Sequence, residues 1–243
     1  MILFDGKSSA HSDFGIESVT VVSRPLLTGT RDRGIAIPGR DGVWDIRPDF
    51  EPADIRVRIF FKAPTHEQLR THIRNMAAWL SPRGVKPLIF ADEMDKQYLA
   101  RRINAIRPEE VMAQGFADIS FLVPSGHTES VSTKTTGPTG TNGGTLATPC
   151  TITATIANNT SSFRVDLWDS AEERGGFVLL QRNLSAADVV VIDTAKHLVL
   201  VNGVDARPGV SVLSDYFTIP PGVYSFTSDP AAILTIEYRE RWL

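Results

Sequence analysis

Three pairs of neighbouring carboxylates are the first candidates for chemistry: Asp49 with Glu51, Asp92 with Glu93, and Glu172 with Glu173. Two carboxyl groups flanking a bond are the equipment of glycoside hydrolysis, one protonated to donate to the leaving oxygen and the other ionised. Nearby Pro, Gly and Lys mark these pairs as turn and loop residues, where acids are solvated. The five histidines, His11, His66, His72, His127 and His197, are scattered. His66 and His72 are six apart, so they do not share a helical face as two metal ligands would. No Gly-x-Ser-x-Gly elbow, His-Glu-x-x-His pair or phosphate-loop lysine motif occurs. The single cysteine, Cys150, excludes an internal disulfide and a multi-cysteine zinc site, and its setting, TPCTITATI, is that of a small buried strand residue. These residues predict no catalytic group, metal or cofactor.

Two other sets could bind rather than react. The stretch RDRGIAIPGRDGVWDI centres on Gly39-Arg40-Asp41-Gly42, which has the composition of a phosphate cradle, an adhesive tip or a tight turn. A phosphate cradle aims consecutive N–H groups inward and usually opens a helix. Here GIAI and VWDI, both extended, flank an Asp-Gly turn signal, so the segment is predicted to be a β-hairpin tip with a structural role, available for a subunit contact. The aromatic residues Trp168, Tyr216, Tyr224 and Trp242 could form a sugar-stacking platform, but aromatics in a β-sandwich more often fill the core between sheets. Trp168, Tyr216 and Trp242 are kept as candidates for a weak ligand platform.

The elements that position these residues follow from hydrophobic period. Ile55, Val57, Ile59 and Phe61 alternate with Arg56, Arg58 and Phe60, the pattern of a half-buried strand with an arginine-bearing outer face. That face, Arg56 and Arg58, is a second candidate contact. VTVVS, PLIFAD, YLARRINAI and FADISFLV read as further strands. One helix stands apart. Thr65 and Gln68 form a capping box after Pro64, and Leu69, Ile73, Met76, Ala77 and Leu80 form one apolar stripe. Ser81-Pro82 and Gly84 stop it, giving about 16 residues, roughly 24 Å, laid on one face of a sheet. From residue 150 the chain reads as eight short strands (CTITATI, FRVDLW, FVLLQ, DVVVID, HLVLVNG, DYFTI, VYSFT and AILTIEYRERWL) separated by turn formers, which suits a sandwich or jelly roll.

Between Pro124 and Pro149 runs a Ser-, Thr-, Gly- and Pro-rich stretch whose only large apolar residues are Val131 and Leu146. It cannot bury enough surface to fold alone and is predicted to be a linker or exposed arm. The expected organisation is residues 1–124 as a β domain with one helix, 125–149 as linker and 150–243 as a sandwich. Length, 243 residues, allows two domains with self-sufficient cores, and 42% hydrophobic with 22% charged residues is globular. No apolar run approaches the roughly 20 residues that span a bilayer, and the first residues show no signal-peptide pattern, so folding in a cytoplasm is expected. Residues 1–124 carry a net +1 and 125–243 a net −4, making the total of −3. Neither half is a nucleic-acid binder by charge. The excess of Arg over Lys in the first half favours protein contacts.

The chain resembles the distal tail proteins (Dit) of long-tailed, non-contractile bacteriophages. The resemblance rests on FDGKSSAHSDFGI, then RP and IPGRDG, then MAAWL with PLIFAD and YLARRI; in the last third on VIDTAKHLVLVNGVD, YFTIPPGVYSFT and AILTIEYRERWL. It implies a mainly β protein, with an N-terminal β-sandwich-like domain carrying one helix and extended hairpins, and a C-terminal galectin-like sandwich. It also implies a structural hub at the virion tail tip: a homo-hexameric ring, stacked in some arrangements as a dodecamer. One face of such a ring joins the tail tube protein and the other a tail-tip or baseplate protein, with a receptor-binding protein as a further partner. Tape-measure protein and then DNA pass through the central opening. The near-neutral first half suits a conduit that must not grip DNA, because phosphate contacts would accumulate around a basic ring. The alternatives are a lectin-like host-attachment module and, more remotely, a cell-wall glycosidase.

Overall fold

The computed structural model describes residues 1–171 and 173–243, and among these the chain divides into two compact units, Met1–Glu129 with Leu243, and Ser130–Trp242. No helix among the described residues is long and apolar enough to cross a membrane.

The first unit contains β1 (Ile2–Phe4), β2 (Lys7–Ser8), β3 (Ile16–Ser23), β4 (Thr30–Ile35), β5 (Trp44–Phe50), β6 (Ala53–Lys62), α1 (His66–Trp79), β7 (Lys86–Phe90), β8 (Lys96–Ile103), β9 (Glu109–Val111) and β10 (Gln114–Val123), with β11 (Thr128–Ser130) at its end. Its main sheet runs β2-β1-β7-β8-β10-β6-β3. Strict alternation along β6 puts Ile55, Val57, Ile59 and Phe61 at 0–1% exposure while Arg56 and Arg58 face outward. β10 pairs with β6 antiparallel over ten residues, from Gln114↔Lys62 to Val123↔Ala53, and supplies Ala117, Ile119, Phe121 and Val123 to the same core.

Helix α1 covers that core. Its N-cap is Thr65, whose Oγ1 accepts from the Gln68 N–H at 3.3 Å. The helix is 14 residues long, and the face it buries is rotated from the one the spacing predicts. Leu69, Met76 and Leu80 are buried, but Ile73 is half-buried and Ala77 exposed, while Trp79 is buried at 4% exposure. The indole explains the rotation. Trp79 Nε1 donates to the Phe4 carbonyl at 2.9 Å, and its ring stacks on Phe14 at 4.8 Å and meets Phe4 edge-on at 6.4 Å.

The second unit is a two-sheet sandwich. One sheet runs β12 (Lys134–Thr136), β21 (Ala232–Tyr238), β14 (Cys150–Ile156), β17 (Val189–Asp193), β18 (Leu198–Val201), β19 (Val204–Asp205); the other runs β13 (Thr139–Asn142), β20 (Gly222–Asp229), β15 (Phe163–Trp168), β16 (Arg174–Leu180). A last short strand, β22, is Arg241–Trp242. Alternate residues of the two inner faces, among them Ile152, Val165, Val178, Ile192, Tyr224 and Ile236, form one core. The segment read as a strand at DYFTI stays irregular, held by single bridges from Asp215 to Phe177 and from Ile219 to Thr148.

The stretch taken as a linker is instead built into the sandwich. Lys134–Thr136 pairs with β21 and Thr139–Asn142 with β20, so the segment supplies one edge strand to each sheet. Its glycines serve close approach rather than flexibility: a Cβ on Gly140 would sit 2.5 Å from the Tyr224 hydroxyl. Side chains then fasten it. Lys134 Nζ donates to Glu240 at 2.8 Å and to the Thr141 carbonyl at 2.7 Å, Gly143 N–H donates to the same carboxylate, and Tyr224 shares a hydroxyl hydrogen bond with Thr136 at 2.9 Å. Burial alone would raise the Glu240 pKa, but these donors outweigh it and hold the carboxyl below its usual range.

Candidate functional site

Among the paired carboxylates, Asp92, Glu93 and Asp49 have ion-pair partners. Asp92 and Glu93 both bind Arg24, whose guanidinium lies over the Phe90 ring at 5.1 Å and the Tyr98 ring at 5.7 Å. Asp49 is an ion-pair partner of Arg33 at 2.5 Å. Glu172 lies outside the described residues. The histidines do not converge: His11 caps the Asp13 N–H, His72 Nδ1 lies 2.7 Å from the Asp13 carbonyl, and His197 stacks on Tyr216 with centroids 4.5 Å apart. Among the described residues no cluster of metal-ligating side chains exists. Cys150 is buried, and desolvation pushes its thiol up to about 12.

The aromatic candidates separate. Trp168 is half-buried on β15 and its Nε1 donates to Thr227 Oγ1 at 2.9 Å; Tyr216 lies in the loop after Gly209, stacked on His197; Trp242 is on β22. Only Tyr224 of the four is a fully buried core residue. The platform candidates therefore sit on three different elements.

Arg56 and Arg58 share the outer face of β6, as the alternation requires, but they differ in state. Arg58 forks onto Asp118, its register partner on β10, with Nε to Oδ1 at 2.7 Å and Nη2 to Oδ2 at 2.8 Å. That fork holds the Asp118 carboxyl below its usual range. The outer face therefore carries one internally compensated arginine beside Arg56.

Gly39-Arg40-Asp41-Gly42 does form the tip between β4 and β5, which pair only with each other from Thr30↔Phe50 to Ile35↔Trp44. Gly39 and Gly42 have φ of +81° and +82°, a left-handed conformation that glycine adopts without strain, and Arg40 N–H donates to the Ile37 carbonyl at 3.2 Å. The base of this ribbon is anchored by Arg24 and by the Glu51 N–H to the Gly29 carbonyl at 2.8 Å. Beyond the base, several large apolar side chains are uncovered. Ile35 and its register partner Trp44 are each 55% exposed and share a face with Ile46, while Leu26 reaches 94%. A two-stranded ribbon showing an apolar face to water is marginal by itself.

One feature of the first unit had no counterpart in the residue patterns. Between α1 and the sheet lies a recess of about 410 Å³ lined by Ile59, Phe61, Ile73, Met76, Ala77, Leu80, Ile106, Pro108 and Ala117, with Arg83 and Arg102 at its rim. The half-burial of Ile73 and the exposure of Ala77 are its trace in the helix stripe.

Known proteins align with this architecture. Residues 9–123 match the phage tail protein RIFT-related domain family, and residues 143–242 match the C-terminal domain of the siphovirus-type tail component family. The crystal structure of Dit from phage SPP1, described as a paradigm of the hub adsorption apparatus of phages infecting Gram-positive bacteria, aligns over 100% of this chain and 98% of its own, with a TM-score of 0.79 at 17% identity. The baseplate of phage P2 in its activated conformation with Ca aligns over 91% of this chain and 90% of its own, with a TM-score of 0.47 at 6% identity. No curated protein matches the chain in sequence. With two phage tail families matching in series along most of its length, on a fold shared with SPP1 Dit from end to end, the chain belongs to the distal tail protein (Dit) family of siphophages and is a structural phage tail protein.

Proposed function

We propose that this chain closes into a hexameric ring that joins the tail tube to the tail tip, with the first unit forming the ring and a central channel passing DNA without binding it. The observation that carries this reading is the uncovered β4–β5 ribbon. A head-to-tail contact repeated around a closed ring covers one copy of such a face per subunit and leaves none open. The charge balance of residues 1–124, a net +1, supports a lumen with little hold on phosphate. Arg56 joins the contact, and the second unit is a non-enzymatic module that serves protein contacts.

Folding is inferred to take place in the host cytoplasm, followed by assembly into the virion tail with the tube protein, a tip protein and, on the outside, a receptor-binding protein. Negative-stain images of the purified full chain test the ring: six-fold particles with an open centre are expected. A field of monomers, or of open filaments, at tens of micromolar would contradict it.

A further inference from the structure

Resting on the ring reading above, we propose that the recess between α1 and the main sheet is the receptor for the hairpin of a second copy, with Trp44 entering it and Asp41 meeting Arg83 at its rim. The recess is a knob-sized hole left open by its own chain. Its floor is Ile59, Phe61 and Ala117, all 5% exposed or less, and its helical wall includes the half-buried Ile73. A cavity of about 410 Å³ lies in the range that accepts a ligand-sized group, and indole with a neighbouring aliphatic side chain is such a group.

Charge assigns the occupant. Arg102 spends its donors on backbone carbonyls, Nε to Leu80 at 3.0 Å and Nη1 to Asn104 at 2.6 Å, and Arg83 is exposed with no carboxylate partner among the described residues. An apolar recess rimmed by guanidinium groups fits an apolar knob carrying an unpaired acid. The ribbon offers that combination where Trp44, 55% exposed, follows the turn containing Asp41; Asp41 and Asp45 both lack an ion-pair partner among the described residues, whereas Asp49 is taken by Arg33. Arg40 covers one face of the Trp44 ring at 5.2 Å, which leaves the other face to pack. The more exposed Leu26 and Leu27 have no acid beside them, so charge does not direct them to this rim.

The test uses the full chain. Asp41→Arg and Arg83→Glu, each on the exposed surface, are made singly and together, and association is followed by light scattering with circular dichroism as a folding control. Each single change is expected to weaken association about tenfold, and the pair to restore most of it; Trp44→Ala should weaken it about 30-fold. Separately, Asp41→Cys and Arg83→Cys chains, both keeping Trp44, are mixed and oxidised; the native Cys150 is buried and does not compete. A disulfide between the two chains is expected. Rings that form without that cross-link, or a double charge swap no better than either single change, would overturn this contact while leaving the ring intact. A native chain that stays monomeric would overturn both.

Discussion

Replacing Trp79 by Ala should destabilise the first unit more than trimming Ile73, which the spacing alone places at the centre of the buried helix face. The side chain is 4% exposed, stacks on Phe14 and meets Phe4 edge-on, and donates its N–H to the Phe4 carbonyl. Truncating a buried Trp costs about 3–5 kcal/mol through lost burial and the cavity left behind. Trp79→Phe keeps most of the ring packing and gives up the indole hydrogen bond, worth ~1 kcal/mol. Ile73, half-buried at the edge of a recess, has room to relax, so Ile73→Val should cost no more than ~1 kcal/mol. Urea unfolding followed by circular dichroism, with amide exchange in β6 to locate the affected unit, measures all three. If Trp79→Ala cost less than Ile73→Val, the reasoning that the indole sets the rotation of α1 would be wrong.

Glu240→Gln should loosen the edge strands at 134–142 and open them to protease, because it removes the charged acceptor of Lys134 and Gly143 N–H. Since the folded Glu240 pKa is lowered from 4.5, its contribution is present above that pH and lost as pH falls through the folded value, so the Tm gap between native and Glu240→Gln should close on acidification; a gap that persists at acid pH would show that charge is not what holds the strands. Cys150 should resist thiol reagents in the native state at neutral pH and react only on unfolding. With its folded pKa raised from 9.0 to about 12, the unfolded chain ionises first and this residue lowers stability as pH rises through that window; rapid native labelling would contradict the burial. Trp168→Ala should leave any binding of soluble wall polysaccharide unchanged by calorimetry, because the platform aromatics sit on three separate elements; micromolar binding abolished without unfolding would revive the lectin reading.

How much was legible in the residues depends on how local the cause is. β6, β10, β14 and β21 announce themselves because their buried faces alternate within single runs, and the capping box at Thr65 and Gln68 marks the start of α1. The Asp-Gly turn likewise fixes the hairpin tip. The edge strands at 134–136 and 139–142 were hidden because what holds them comes from far along the chain: Tyr224, Tyr238 and Glu240 supply the ring, the hydroxyls and the carboxylate. Composition there reads as flexible, whereas Gly140 is small because it lies against a tyrosine. Trp79 was missed since helical spacing cannot tell a stripe's centre from its edge without knowing that Phe4 and Phe14 wait beneath it. At the candidate site, Arg56 and Arg58 were placed on the right face, but the partner that compensates Arg58 is Asp118, sixty residues away. The recess under α1 has no sequence signature, being walled jointly by sheet residues, by Ile73 and Ala77 of α1, and by Ile106 and Pro108 of a loop.

The most direct measurement is the mass of the purified full chain by light scattering, native and with the ribbon face made polar by Ile35→Asp and Ile46→Asp. A particle of six 26.6 kDa subunits that falls to monomers in the variant, with circular dichroism unchanged, is expected if the uncovered ribbon closes the ring. A native chain that stays monomeric at tens of micromolar, or a hexamer indifferent to the loss of that face, would contradict it.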